Sequence, residues 1–419
     1  MKALFLVLIF VNLQAIKVAV STDTNEQMKI AIILRNKLPK ADKIFDCLKA
    51  DLELSDQFIV EKKNGSSSIK EIQKLSPQFP LVLVVSNSSN QIEFKLFESD
   101  NGQQLLNSKQ KYDSNFLEFY AHKVSEQVWK KLTNEEGCFS SLIAACRNSI
   151  NNDEKISSIF AFYPSDKFEH KKKLIDSGIN LSPNWHPGER CLFFSRHTPV
   201  NVQLVSLNGD GKKRVVTNFD GLNITPAFSE KGRIVVSLTV DGKGRLCEYK
   251  FDAYKKKGKF ISLTPGTMHA FAPSFADENT VVFCLIDEQR RPKVATLNLK
   301  TKNIKTITNG SCMSPAYNKK IKEVAYCKKT DNGRQVFKSN LDGANPKQLT
   351  NVYADKVSCS WSPCGNYIVF DEDGGKGRIA ILSLRTEKKR YLTPASEHWT
   401  MPAWSNVFKE PFAQDRFDN

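Results

Sequence analysis

Several residue patterns that mark familiar chemistry are missing from this chain. Histidine occurs only six times, at scattered positions, and no C-x-x-C pair is present, so a zinc-ligand cluster is not expected. There is no G-x-S-x-G, the nucleophile elbow of an α/β-hydrolase. Neither G-x-G-x-x-G nor G-x-x-x-x-G-K-[ST] occurs, which leaves no glycine loop to cradle a nucleotide phosphate. Past the first dozen residues, no apolar run is long enough to span a bilayer. The expectation is a protein with no catalytic residue, no cofactor and no metal.

What is present points to export. Lys2, the apolar run Ala3 to Val11 and the small residues Ala19-Val20-Ser21 read as a secretory signal over residues 1–21, a retained N-terminal anchor being the alternative. The formal net charge of +16 would fall to about +14 with loss of Lys2 and Lys17. The basic runs 171–173, 255–257 and 388–390 read as a solvated rim, which favours an anionic partner such as a cell-envelope polymer. Nucleic acid is not expected, because no recognition motif accompanies the charge. All ten cysteines lie beyond the signal. Several, such as Cys191, Cys284 and Cys327, sit inside strand-like runs and read as small buried hydrophobes. Cys359 and Cys364 flank one turn, and their pairing is the alternative in an oxidising compartment.

The second half of the chain is periodic. Trp185, Phe228, Phe275, Tyr317, Trp361 and Trp404 recur at steps of 42 to 47 residues. Pro183, Pro226, Pro273, Pro315 and Pro402 stand two residues before five of them, and Cys359 takes that place before Trp361. The unit from Ser358 to Leu392 shows the content of each repeat. A short extended run is followed by the turn Pro363-Cys364-Gly365-Asn366, then Tyr367 to Phe370, a second turn at Asp373-Gly374-Gly375, and two more strand-like runs. Four short antiparallel strands per unit describe a propeller blade. Only fifteen residues follow Trp404, so its three partner strands are expected upstream, at Leu142–Cys146, Ile156–Phe162 and Lys172–Asp176. This predicts six blades over residues 138–405, closed by a C-terminal strand at 401–405, with a tail at 406–419. The repeated aromatics and prolines are expected to pack between blades.

Residues 22–134 read as a small α/β domain, linked at 134–137. Met28 to Leu34 is almost continuously apolar, as expected of a strand buried on both faces. Ala41–Leu54 carries Ile44, Leu48 and Leu52 at helical spacing, and a final helix, capped by Asp113 or Ser114, carries Phe116, Tyr120, Val124 and Val128. The predicted fold class is an α+β N-terminal domain followed by an all-β six-bladed propeller.

This arrangement, joined through Gly137-x-Phe139-x-x-x-Ile143-Ala144, resembles the TolB family of the Tol–Pal envelope system of Gram-negative bacteria. The resemblance implies a non-catalytic periplasmic scaffold, monomeric within an envelope complex. The propeller would bind the peptidoglycan-associated lipoprotein Pal, and the N-terminus would contact the inner-membrane protein TolA. The role implied is outer-membrane integrity and cell division. The sequence departs from the family in a short segment, Thr22 to Gln27, before the first strand, in the tail from Asn406 to Asn419, and in Cys364 where the turn commonly has Asp. Alternative functions are an envelope polysaccharide binder and, with less support, a propeller hydrolase.

Partners of propellers dock where equivalent loops converge at the tunnel mouth. Six residues before each repeated aromatic stand Ile179, Leu222, His269, Ser311, Asp355 and His398; four before stand Leu181, Ile224, Phe271, Met313, Val357 and Thr400. His269 and His398 occupy a His-x-x-x-Pro-x-aromatic frame similar to that of some family members. The candidate partner contacts are His269, Phe271, Asp355, His398 and Trp399, the last as an aromatic anchor. The plain alternative is that the histidines are ordinary loop residues.

Overall fold

The computed structural model describes residues 27–412 apart from 36–39, 89–90, 112, 152, 167–170 and 253–256. The expected signal segment, Lys255-Lys256 and the last seven residues lie outside the described residues.

The N-terminal domain is built on a five-stranded sheet. Met28–Leu34 lies between the parallel strands Phe58–Lys63 and Leu81–Ser88, and two antiparallel strands, Gln91–Glu98 and Gln104–Lys111, extend it. The continuous apolar run of the first strand follows from burial on both sides. Ile30 and Ile32 pack with Ile44, Leu48, Leu52 and Val124 of the two long helices, Ala41–Leu54 and Leu117–Thr133. Ala31 and Ile33 pack with Ile72 and Phe79 on the opposite face. The caps are local: Ser68 Oγ accepts from the Glu71 N–H at 3.4 Å, and the Asp113 carboxylate accepts from the Asn115 N–H at 2.9 Å.

Four four-stranded antiparallel sheets begin with Asn223–Phe228, His269–Asp277, Cys312–Asn318 and Cys359–Trp361. An eight-stranded sheet completes the set. It divides at a single parallel pair, Ser157 with Ile179, into two four-strand units. One unit runs from Ile179–Trp185 to Lys213–Thr217. The other combines Ile143–Asn151, Glu154–Phe162 and Lys172–Ile175 with the last strand of the chain, His398–Trp404. Trp404 stands opposite Ile143 and His398 opposite Asn148. The first strands touch in succession, His398–Trp404 on Ile179–Trp185 and so on around to Cys359–Trp361, which returns to His398–Trp404. The four-strand unit thus occurs six times in a closed ring, numbered here as blades 1 to 6 from the seam. Closure pairs the last strand with Ile143–Asn151, so the first blade is completed by the end of the chain.

The Pro-x-aromatic repeat explains how the blades hold together. In all five proline-bearing units the residue before proline, Ser182, Thr225, Ala272, Ser314 or Met401, has φ between 45° and 56°. The pairing register slips at each of these points, so each inner strand carries a bulge. A left-handed non-glycine residue costs about 1–2 kcal/mol, and neighbouring blades hold three of these: Ser182 N–H donates to Met401 Sδ, Ser314 O accepts from the Cys359 thiol, and Met401 N–H donates to Asp371. Trp185 donates its indole N–H to Ala403 O of blade 1 at 3.1 Å, and Trp361 donates to Ala316 O of blade 5 at 3.0 Å. The middle residue of the motif reaches forward: Asn184 to Pro226 O at 2.8 Å, Ser274 Oγ to the Tyr317 N–H at 3.1 Å, and Ser360 Oγ to the Trp404 N–H at 3.0 Å. Blade 6, which lacks the proline, uses a buried carboxylate. Asp371 accepts from the backbone N–H of Val357 and Ser358, from Ser358 Oγ, and from the Met401 N–H across the seam.

The start of the expected tail is packed. Phe408 and Phe412 close on Trp185 with ring centroids 5.5 and 5.3 Å away, and Arg190 donates to Pro411 O at 2.6 Å.

The N-terminal domain sits on the ring face formed by the turns between first and second strands and between third and fourth strands. Asp56 accepts from Thr386 Oγ1, Lys388 and Arg390, and Glu135 takes a two-pronged contact from Arg385 at 2.9 and 2.8 Å. The basic run 388–390 is partly solvated and partly engaged: Lys388, 61% exposed, and Arg390, 40% exposed, face Asp56, and Lys389 faces Glu372. Charge is visible in a sequence; the acid that meets it is not. Deeper in the interface His122 is fully buried, its Nδ1 2.8 Å from Asp51 Oδ2 and its Nε2 4.0 Å from Asp166 Oδ1, with the Tyr163 ring against it. Ser165 donates to Asp51 across the same boundary. Burial works to lower the His122 pKa, but Asp51, followed by Asp166 and Glu118, raises it above the ordinary value. Burial pushes Asp166 up to about 6, although His122 works the other way.

Candidate functional site: the free face of the propeller

Within each antiparallel blade, the loop entering the first strand and the hairpin between second and third strands lie on the same face of the ring. This face is opposite the N-terminal domain. It carries a concentration of exposed apolar side chains: Ile150 and Val200 on hairpins, Phe219 and Leu222 before blade 3, and Val352, Tyr353 and Val357 before blade 6. Scattered single apolar residues are ordinary on a surface; these seven stand on loops of four blades around one face.

The loop before blade 6 is the most constructed part. Lys356 is fully buried, and its ammonium donates to Val352 O at 2.9 Å and Ala354 O at 2.7 Å, with Glu372 Oε2 3.5 Å away. Burial lowers the pKa of this lysine, while Glu372 works the other way. Gln335, also fully buried, donates to Asn332 O, Val352 O and Ala354 O, and accepts from Thr350 Oγ1 at 2.9 Å. Burying an ammonium costs several kcal/mol unless carbonyls and a counter-ion replace its water. Here they do, and the result is a fixed loop with Tyr353 84% exposed at its apex. A rigid exposed aromatic loses little entropy on binding.

The sequence-predicted residues fall around the same face, with one exception. His269 is half-buried and its Nδ1 accepts from the Gly244 N–H at 3.3 Å; Phe271 lies against Gly244, where an added Cβ would meet the ring at 3.0 Å. Asp355 accepts from the Arg334 N–H at 2.7 Å and remains half-exposed beside the Arg334 guanidinium at 3.7 Å. His398 is exposed at the start of the seam strand. Trp399 is not a surface anchor. It is 0% exposed, packed edge-on against Phe160 and Phe162, with its indole N–H donating to Glu397 at 2.9 Å. The strand period of two decides this: with His398 outward, its neighbour must point inward. No hydrogen bond or ring contact among the described residues joins His269 and Phe271 to Asp355 or His398. They stand at separate blades around one mouth. Tyr353 was missed by sequence reasoning, although an aromatic in the loop Asn351 to Asp355 was a readable signal.

A cleft of about 970 Å³ lies elsewhere, between the helix Leu117–Thr133, the linker and Asn406-Val407. It mixes Lys123, Lys130 and Lys131 with Glu126 and Glu136 and touches none of the predicted contacts.

Residues 129–408 match the sequence family described as the TolB beta propeller domain. The chain belongs to the TolB β-propeller family. Its fold matches the crystal structure of TolB from Acinetobacter baumannii, with a TM-score of 0.74, 21% identity, and coverage of 90% of this chain and 96% of that one. The Tol-Pal system protein TolB of Legionella pneumophila is 25% identical over 229 residues, 53% of this chain and 54% of that protein. The corresponding protein of Francisella tularensis is 23% identical over 273 residues, 62% of this chain and 61% of that protein. The matches thus span between half and two thirds of the curated relatives' length. The TolB assignment accounts for the small α/β domain followed by blades. The six-membered ring itself rests on the strand pairings described above.

Proposed function

We propose that the chain is a non-catalytic scaffold of a Tol–Pal system. In this reading it works in the periplasm after removal of residues 1–21, with residues 22–134 and 138–405 as its two working domains. The free propeller face binds the peptidoglycan-associated lipoprotein Pal and so supports outer-membrane integrity and cell division. Contact with a TolA-like inner-membrane protein would run through the residues before Met28. No helix among the described residues is long and apolar enough to cross a membrane.

The observation that carries this reading is the fixed, apolar-tipped loop at Val352-Tyr353 on the face the N-terminal domain leaves uncovered. His269, Phe271, Asp355 and His398 belong to the same proposed surface; Trp399 does not. The polysaccharide reading keeps the exposed cations Lys388 and Arg390, although each also pairs with Asp56. The test is calorimetric titration of purified Pal into the whole chain carrying Tyr353→Ala and Phe271→Ala. A loss of about tenfold or more is expected, in the range of an aromatic hot spot. An unchanged constant discards the assignment of this face.

A further inference from the structure

The loops of the free face meet across the blades in a way that the repeat alone does not require. Three of the residues that stand six places before a repeated aromatic open the pairing of their own blade: His269 lies opposite Ile286, Asp355 opposite Asp373 and His398 opposite Asn148. Each then rests on a glycine at the start of the third strand of the preceding blade. His269 Nδ1 accepts from the Gly244 N–H of blade 3, and Phe271, two residues on, covers the same glycine. Asp355 lies over Gly333 of blade 5, and its carboxylate accepts from the adjoining Arg334 N–H at 2.7 Å. His398 and the Trp399 carbonyl lie over Gly377 of blade 6.

Space, not backbone conformation, demands two of these glycines. Gly244 and Gly377 are outside the left-handed region. A Cβ at Gly244 would stand 3.0 Å from two carbons of the Phe271 ring. At Gly377 it would run into Trp399 O and come within 2.9 Å of His398 Cδ2. Carbon atoms rest at about 3.5–4.0 Å from one another, so neither place takes a side chain without moving its neighbour. At Gly333, where φ is 84°, a Cβ would also meet Asp355 Oδ1 at 3.0 Å. The other three third strands open without glycine, on Glu154, Val202 and Pro292. The residues in the same frame of the next blade are there Ile179, Leu222 and Ser311. Glycine therefore occurs where, and only where, the next blade brings a histidine or an aspartate. The packing of blade on blade recurs at every junction and does not account for glycine at half of them.

We propose that Gly244, Gly333 and Gly377 are positioning residues for partner recognition: each seats side chains of the next blade on the preceding hairpin and sets the height at which they meet a partner. The inference rests on the reading of the free face as the Pal-binding surface. Side chains already seated lose little freedom on binding, and a shift of about half an ångström is enough to spoil their fit. The seat also fixes what His269 offers. A backbone N–H is only a donor, so Nδ1 keeps its lone pair and the ring hydrogen of neutral His269 sits on Nε2. The partner group suited to that nitrogen is an acceptor, a carboxylate or a carbonyl.

The test is a double-mutant cycle on the full chain, read by calorimetric titration of purified Pal. Gly244→Ala should weaken binding about threefold and Gly244→Val about tenfold, the loss growing with the volume forced against Phe271. In a Phe271→Ala background, where the ring is gone, Gly244→Val should cost about twofold or less. Isotope labelling of the histidine ring nitrogens adds a magnetic-resonance readout that a general loss of stability does not move. Gly244→Val should shift the His269 signals, whose ring lies beside Phe271, and leave those of His398; Gly377→Ala should do the reverse. Should Gly244→Val not fold, Gly244→Ala carries the same cycle. Unaltered affinity in the Gly244→Val chain, a loss as large with Phe271 removed as with it present, or His269 signals indifferent to the substitution each overturns the proposal and leaves the Pal-binding reading standing. An unsubstituted chain that does not bind Pal overturns that reading and the proposal with it.

Discussion

On the side of the ring that carries the N-terminal domain, charge is matched to charge: Asp56 to Lys388 and Arg390, Glu135 to Arg385, and His122 to Asp51. On the opposite side the loops hold up Val200, Phe219, Leu222 and Tyr353 without covering them. The turns on both faces have similar origins in the repeat. The difference teaches that one face is already an interface, most of its charges paired within the chain. On the other, buried Lys356 and Gln335 hold the loop before blade 6 and leave Tyr353 at its apex in solvent.

The strongest challenge to this picture removes the seam. Ending the chain before His398 takes the inner strand from blade 1 and the donor that Asp371 holds from Met401; cooperative unfolding followed by circular dichroism should be lost. Trp399→Ala separates core from surface. It should lower stability by about 3–5 kcal/mol in denaturant titrations and leave the partner affinity of the folded fraction unchanged, because the ring is internal. His122→Ala strips the buried docking network and should cost about 3 kcal/mol, read as earlier release of the N-terminal domain in hydrogen exchange. The same network sets a pH dependence. The folded pKa of His122 lies above its unfolded value, so its contribution is complete below that unfolded value and disappears as pH rises through the folded one. Asp166, raised to about 6, adds a penalty as it ionises between roughly pH 4 and 6, so docking should weaken from mildly acidic to alkaline pH. On the other face, Tyr353→Ala should cost about 2 kcal/mol of partner binding and less than about 0.5 kcal/mol of stability. The smallest effect is expected from Arg385→Ala, about 0.2–1 kcal/mol, because that pair is partly solvated.

Much of the fold was legible in the residues. The step from Trp185 to Trp404 counted the blades, and the shortage of residues after Trp404 required the strand that pairs with Ile143. Both depend on local periodicity and chain length, which a sequence carries in full. The site was less legible. His398 and Trp399 are neighbours in the chain, and only the pairing register decides that one faces solvent and the other Phe160. Tyr353 gains its interest from Lys356 and Gln335, and Gln335 lies in another blade. The run 388–390 looked like rim charge because Asp56, more than three hundred residues earlier, could not be seen facing it.

The sequence by itself determined the kind of unit, its number and the need to close it, because aromatic spacing, proline and glycine act on the chain within a few residues. Tertiary structure alone decided which face is filled and which is open, which loops meet across the blades, and which aromatic reaches water. Those outcomes depend on groups far apart in the chain meeting in a low-dielectric interior, where satisfying each buried charge and hydrogen bond selects one arrangement among many.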